Sequence, residues 1–353
     1  MAKVLMKGNE AIAEAAIKAG CRYFFGYPIT PQNEIPAYMA KMLPKVGGSF
    51  IQAESEVSAI NMVYGAAGAG ARVMTSSSSP GISLKQEGIS YIVGAELPCL
   101  IVNIVRGGPG LGGIQPAQSD YFQAVKGGGH GDYHMVVLAP ASVQEMADLV
   151  MDGFDIADRY RNPVMVLGDG MLGQMMEPVE FQEKDILQPQ KPWATTGNRD
   201  GEARRIINSL FIDPQGLEEH VLKLYKKYEA MKENETRVEC YNCENAEIII
   251  VAYGTTARIA KNVIQLAAQE GINLGLIRPV TLWPFPDKTI GKWAKKSHTK
   301  GFLTLEMSMG QMVEDVRLSV NGTKPVYFYG RTGGMVPMPR AVLEEIKKIR
   351  EGI

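Results

Sequence analysis

The sequence predicts an α/β protein, a doubly wound parallel sheet followed by a second, smaller α/β domain. Up to about residue 183, short apolar runs that read as buried strands alternate with longer stretches of helical periodicity. Such alternation implies parallel strands joined by crossover helices that wrap both faces of the sheet. After a polar interruption the same alternation restarts at AEIIIVAYG.

The first segment predicts helices over Asn9–Ala19, Pro31–Met42, Ser55–Gly68, Pro80–Val93, Gln118–Lys126 and Ser142–Tyr160. Between them it predicts strands over Tyr23–Gly26, Ser49–Ala53, Arg72–Ser76, Pro98–Val105, Met135–Ala139 and Pro163–Leu167. Local chemistry marks several starts. In GYPITPQ, Pro31 pushes Thr30 toward an extended conformation and suits a first helical position, with Thr30 as N-cap. Ser55 suits the cap before EVSAI, and the serines before Pro80 suit the next helix. From about Glu180 to Glu244 the pattern degrades. FQEKDILQPQKPWATTGNRDGEARR is loop-like, and HVLKLYKKYEAMKENE reads as a charged amphipathic helix with a solvated face, on a connector. Beyond the AEIIIVAYG strand come a helix over Thr256–Gln269, a strand over Asn273–Arg278 and a helix near Asp287–Lys296. A strand over Gly301–Glu306, a helix near Gln311–Val320 and a strand over Pro325–Tyr329 complete the series. The expected domains are residues 1–183 and 246–353, with residues 184–245 as linker.

A chain of 353 residues has room for two domains. A formal net charge of −1 gives no reason to expect nucleic acid or a membrane surface as partner. No apolar run reaches the roughly 18 residues that a membrane span needs. MAKVLMKGNEAIAEAAIKAG is read as an amphipathic helix rather than a signal peptide, because Glu10, Glu14 and Lys18 interrupt its apolar stretch. The expected compartment is the cytoplasm. The cysteines are Cys21, Cys99, Cys240 and Cys243. CYNC at 240–243 has no second ligand pair for zinc and precedes a strand rather than opening a helix, so it reads as two ordinary thiols. Clustered cysteines are too few for an iron–sulfur centre in this chain.

Sites in doubly wound sheets lie beyond the carboxyl ends of the strands. That rule gathers GYPIT, AESE, SSSSPG and RGGPGLGG along one edge. Glu54 and Glu56 are either carboxylates stabilised by a helix start, or one of them points into a partly buried site where desolvation suits it to proton transfer. Ser78 and Ser79 are caps or ligands of a polar group. Arg106 suits bidentate capture of a carboxylate, with a structural ion pair as the alternative. GPGLGG formally fits a dinucleotide-binding turn, but Pro109 interrupts it and GIQPAQ delays the next helix. His130 and His134 stand four apart in a glycine loop without an evident third ligand, so no metal site is expected; His130 remains an acid–base or hydrogen-bonding candidate.

Taken together, GNEAIAEAAIKAG, GYPITP, QAESEVSAI, SSSPGISL, RGGPG, QSDYFQAVKGGGHGD and VLAPASVQE, then VAYGTTARIAKN and IRPVTLWPFP, resemble the α subunit of the 2-oxoacid:ferredoxin oxidoreductases. The likeness spans nearly the whole chain and looks closest to the group acting on 2-oxoisovalerate (3-methyl-2-oxobutanoate). The 2-oxoglutarate group is a near neighbour. The resemblance implies a pyrimidine-binding domain of the thiamine diphosphate type, followed by a domain like the transketolase C-terminal one. It implies a β subunit that holds the cofactor diphosphate and Mg2+, and γ/δ-type subunits that carry the iron–sulfur clusters. Ferredoxin, coenzyme A and the 2-oxoacid are the further partners implied. GDG at 168–170, with Asn198 downstream, is accordingly not read as a magnesium motif.

By the same resemblance Glu56 matches the cofactor-activating glutamate, whose carboxyl group hydrogen-bonds the aminopyrimidine ring. Arg106 matches the arginine on the substrate carboxylate, Thr30 the threonine in that pocket, and Ser78 and Ser79 weaker cofactor contacts. The apolar loop GPGLGGIQPAQ favours a branched aliphatic substrate, since only Lys126 is near to meet a second carboxylate. Two readings of other classes are a nicotinamide-dependent dehydrogenase using GPGLGG and a non-catalytic scaffold subunit.

Overall fold

A computed structural model of the chain describes residues 3–182, 189–197, 201 and 203–352. Asn198 lies outside the described residues. Among the described residues the larger sheet has seven strands, in the order Thr281–Trp283, Val136–Leu138, Val164–Asp169, Leu100–Val105, Val73–Ser77, Tyr23–Gly26 and Ser49–Gln52. All neighbours are parallel except the first pair. The central strands Leu100–Val105 and Val164–Asp169 are buried along their whole length, as a sheet covered on both faces requires. The chain steps outward from Tyr23–Gly26 to Ser49–Gln52, then crosses back to Val73–Ser77 on the other side. This reversal opens a crevice at the carboxyl ends of Tyr23–Gly26 and Val73–Ser77, the usual ligand position in such sheets.

The second sheet runs Val326–Gly330, Gly301–Glu306, Ile248–Val251, Leu274–Pro279 and Val238–Tyr241, parallel except for the last. The predicted alternation is therefore present, but the two sheets trade edges. Val238–Tyr241, from the stretch read as linker, closes the second sheet, while Thr281–Trp283, two residues past a strand of the second sheet, joins the first. The crossing is fixed at Val280, whose carbonyl accepts from Ala139 N at 2.8 Å and whose N–H donates to Arg237 O at 3.0 Å. Gln118 fastens the units further. Its Nε2 donates to Tyr253 O at 2.9 Å and its Oε1 accepts from Met307 N at 2.9 Å.

The connector helix is longer than its charge pattern suggests, spanning Pro214–Glu235. Pro214 opens it, and the Asp213 carboxylate caps it by accepting from Gly216 N at 2.8 Å. One face, Leu224, Tyr228, Met231 and Glu235, is buried at helical spacing. Tyr228 meets His134 edge-on at 5.3 Å, and His134 stacks on Trp283 at 4.6 Å, so the helix is pinned to the rim of the larger sheet. Several further elements had no sequence expectation. Val4–Lys7 pairs antiparallel with Met176–Val179, and a final helix spans Pro339–Glu351. No helix among the described residues is long and apolar enough to cross a membrane.

Arg72 illustrates how the helices are held on the sheet. Its guanidinium is buried and donates to Asp158 at 2.7 Å, Asp155 at 2.8 Å and Ala19 O at 2.6 Å. Without the guanidinium Asp158 keeps only the Lys191 ammonium at 2.6 Å and Asp155 turns to solvent, so the cost should lie at the low end of the about 3–5 kcal/mol typical of a broken buried pair. Arg72→Met is expected to lower unfolding stability by about 3 kcal/mol in a denaturant titration. A change below about 1 kcal/mol would show that Asp158 is satisfied without it.

Candidate active site at the carboxyl edge of the larger sheet

The structure separates the two glutamates of AESE. Ser55 is extended and its hydroxyl accepts from Ser58 N at 3.2 Å, so the helix Glu56–Gly68 opens with Glu56. Glu54 is exposed, whereas Glu56 is 6% exposed. The Glu56 carboxylate lies where a side chain on Gly81 would be. A Cβ there would stand 2.6 Å from Glu56 Oε1 and 2.1 Å from Ser77 Oγ. Gly81 belongs to the helix Pro80–Gly94, and one turn further along it stands Lys85, fully buried. Lys85 Nζ donates to Thr75 Oγ1 at 2.7 Å and to Ser76 O at 3.1 Å. Burial pulls its pKa down to about 7, against the opposing pull of the Glu56 charge.

The hydroxyls of Ser77 and Ser78 are buried and have no partner among the described residues. Buried polar atoms are ordinarily paired, so two adjacent orphans beside a carboxylate mark space for a polar group. Ser79 precedes the helix but its side chain makes no cap bond, and capping alone does not account for SSSSPG. Its φ of +24° is a strained conformation for serine, costing about 1–3 kcal/mol. It is held by Asn103 Oδ1, which accepts from Ser79 N at 3.1 Å, and by Ser79 Oγ, which accepts from Arg106 N at 3.0 Å. Asn103 in turn donates to Asp120 at 2.9 Å. Burial raises the Asp120 pKa, against the bonds from Asn103 and Ser79.

Arg106 is 8% exposed. Its Nη1 donates to Thr30 O at 2.8 Å and Nη2 to Leu111 O at 3.1 Å, while Nε is buried without a partner. No salt bridge forms at Arg106 among the described residues, so the ion-pair alternative is not what the structure shows. A guanidinium held by two carbonyls keeps its full charge for an incoming anion. Thr30 is exposed, and its hydroxyl accepts from Asn33 Nδ2 at 3.2 Å. It is not an N-cap, because the helix starts three residues later than expected, at Glu34. The stiff turn instead presents the Thr30 carbonyl that orients Arg106.

The other candidates separate from this cluster. The glycine loop closes on itself, with Gly107 N donating to Gln115 O at 2.9 Å and Gly113 N to Gly107 O at 2.8 Å. No helix opens inside it and the next is Tyr121–Val125, so the dinucleotide-binding reading fails on geometry. His130 is exposed, and its carbonyl accepts from Ser90 Oγ at 2.7 Å. Ser90 lies ten residues along the helix from Pro80, about 15 Å at the helical rise, so this chain does not bring His130 to Glu56. Asp169 of GDG caps the helix Gly170–Gln174, accepting from Met171 N at 2.9 Å and Leu172 N at 3.2 Å.

Lys85, Asn103 and Asp120 were not singled out in the sequence. Lys85 carried a readable signal, because it falls on the buried stripe Ile82, Lys85, Gln86, Ile89, Ile92 and Val93 of its helix. Asn103 and Asp120 meet only in the fold, and no local pattern announces them.

Fold and site together define the class first: a doubly wound sheet with a smaller α/β unit docked on it, as in transketolases. A solved split-gene transketolase, described as an inactive β4 tetramer, has a TM-score of 0.61 over 97% of each chain at 14% identity, a likeness of fold alone. The family described as "Pyruvate flavodoxin/ferredoxin oxidoreductase, thiamine diP-bdg" matches residues 14–241, and "Pyruvate:ferredoxin oxidoreductase core domain II" matches residues 246–342. The ketoisovalerate oxidoreductase subunit VorB of Methanothermobacter marburgensis is 51% identical over 99% of this chain and 98% of its own length. The 2-oxoglutarate synthase subunit KorA of Methanocaldococcus jannaschii is 35% identical over 96% of this chain and 98% of its own. A solved 2-oxoglutarate:ferredoxin oxidoreductase from Magnetococcus marinus, with 2-oxoglutarate, coenzyme A and succinyl-CoA bound, superposes with a TM-score of 0.88 at 29% identity. That match covers 98% of this chain and 65% of the other. The chain belongs to the 2-oxoacid:ferredoxin oxidoreductase family.

Proposed function

We propose that the chain is the catalytic α subunit of a thiamine diphosphate-dependent complex that oxidatively decarboxylates 2-oxoisovalerate. With coenzyme A the products are acyl-CoA, carbon dioxide and reduced ferredoxin. The observation that carries the reading is the buried Glu56 carboxylate in the space left by Gly81, beside the unpartnered hydroxyl of Ser77, with the Ser78 hydroxyl next in the chain also unpartnered. A buried carboxyl group and orphan hydroxyls are features expected of the pyrimidine half of the cofactor site. Thiamine diphosphate, when bound, supplies the nucleophilic carbon and the electron sink that decarboxylation of a 2-oxoacid needs.

The residues of this chain do the rest. Glu56 Oε would hold the proton shared with the aminopyrimidine ring of the cofactor. Lys85 keeps a positive charge close behind that carboxylate when protonated. Arg106, aimed by the carbonyls of Thr30 and Leu111, holds the substrate carboxylate. Leu111 and Ile114, both exposed on the glycine loop, offer an apolar wall suited to a branched aliphatic side chain. With the Asp169 carboxylate capping a helix, the diphosphate and Mg2+ fall to a β subunit. Iron–sulfur clusters fall to γ/δ-type subunits, consistent with the scattered cysteines here and with relatives named as subunits.

Arg106→Ala tests the reading in the assembled complex, with coenzyme A-dependent dye reduction as the assay. A charged hydrogen bond contributes about 1.5–3 kcal/mol, so KM for 2-oxoisovalerate is expected to rise about 10–100-fold while kcat falls less. An unchanged KM would remove Arg106 from the substrate site.

A further inference from the structure

The C-x-x-C at 240–243 takes no part in this chemistry, yet its geometry is not that of two ordinary thiols. Cys240 is exposed at the end of the edge strand Val238–Tyr241, while Cys243 is 3% exposed, with its thiol 3.3 Å from Leu276 O. Both are free. The turn between them passes through Asn242 at φ +55°, anchored by Asn242 Nδ2 donating to Leu274 O at 2.7 Å. It brings Cys243 close enough to Cys240 for the two thiols to interact. We propose that Cys240 and Cys243 form a thiol–disulfide exchange site whose ligand is the disulfide of a small thiol compound.

The Cys240 thiolate attacks one sulfur of the small disulfide, whose S–S bond breaks to release one thiolate. The mixed disulfide on Cys240 is then attacked by Cys243 Sγ, which gives up its proton as the second small thiolate leaves. The two cysteines lose two electrons and two protons to form one internal disulfide, and the small disulfide gains them as two thiols. The division of labour follows from the surroundings. The neighbouring Cys243 thiol, with the Trp293 side chain and the Lys292 ammonium, lowers the pKa of Cys240 against burial and the Glu239 carboxylate, while the Cys243 S–H itself donates to Leu276 O at 3.3 Å. The neighbouring Cys240 and burial push Cys243 up, as befits a resolving thiol that stays protonated until the adduct forms. Glu239 is itself paired with Lys261 at 2.8 Å and Arg278 at 2.6 Å, which blunts its effect on Cys240. Cys21 and Cys99, by contrast, are buried and pushed up to about 12.

The test is incubation of the full chain with oxidised glutathione without oxygen, followed by peptide mass mapping and a pH series of iodoacetamide alkylation. The expected product is an internal disulfide, the 240–243 peptide lighter by two hydrogens and restored by dithiothreitol. Cys243→Ala should stop at a single glutathione adduct on Cys240. Its alkylation midpoint should rise toward the ordinary thiol value of about 8.5, because the neighbouring thiol that lowers it is gone. Two free thiols surviving excess oxidised glutathione would overturn the proposal. So would a wild-type adduct on Cys240 that never closes, or a midpoint unmoved by Cys243→Ala.

Discussion

Glu56→Gln is expected to lower kcat of the assembled complex by about 10²–10⁴-fold, the range over which a positioned acid–base group contributes. The substitution keeps the size and shape of the side chain at the opening of Glu56–Gly68, and Ser55 still caps the helix. The lost charge at a helix start costs about 0.3–1 kcal/mol, so the fold should survive. What disappears is an oxygen able to hold a proton in the space beside Gly81. Lys85 also loses the negative charge that favours its protonated form, so its pKa should fall further below about 7. The check is turnover alongside thermal unfolding. A variant within about tenfold of the parent activity would make Glu56 a helix-start carboxylate and nothing more.

Gly81→Ala should cost about 100-fold in activity for a purely geometric reason. In most helix interiors this substitution stabilises by about 1 kcal/mol. Here the added Cβ would fall 2.1 Å from Ser77 Oγ and 2.6 Å from Glu56 Oε1, so the carboxylate must move. Displacing a reacting group by about 1 Å is enough for such a loss. Gly65→Ala is the matched control. Gly65 lies in the helix that begins with Glu56, and a Cβ there meets nothing within 4 Å. It should leave turnover intact and raise stability slightly. Equal activity in both variants would mean that the Glu56 carboxylate tolerates displacement.

The sequence placed the functional loops on one sheet edge because buried strands and crossover helices are local patterns, and the carboxyl-edge rule does the rest. The residue pattern alone left Glu54 and Glu56 open, and the family resemblance chose Glu56, since only the exact start of the helix turns one inward and the other to solvent. Its N-cap reading of Thr30 fails because a turn of three more residues intervenes before Glu34, and the Thr30 carbonyl accepts from Arg106. His130 looked close because its loop follows the site in sequence, yet that loop packs at Ser90, far along the Pro80–Gly94 helix. The trading of Thr281–Trp283 and Val238–Tyr241 between sheets was not legible. Strand pairing is decided by which edge is open in the fold, and a three-residue strand carries little pattern of its own.

The most direct measurement is anaerobic, coenzyme A-dependent dye reduction by the complex of this chain with its partner subunits. It compares 2-oxoisovalerate, 2-oxoglutarate and pyruvate, each with and without thiamine diphosphate. Cofactor-dependent turnover led by 2-oxoisovalerate is the result expected here. Turnover led by 2-oxoglutarate would keep Glu56 and Arg106 in place but reject the apolar-wall argument at Leu111 and Ile114. No cofactor-dependent turnover of any of the three, in a complex carrying its clusters and thiamine diphosphate, would contradict the catalytic assignment itself.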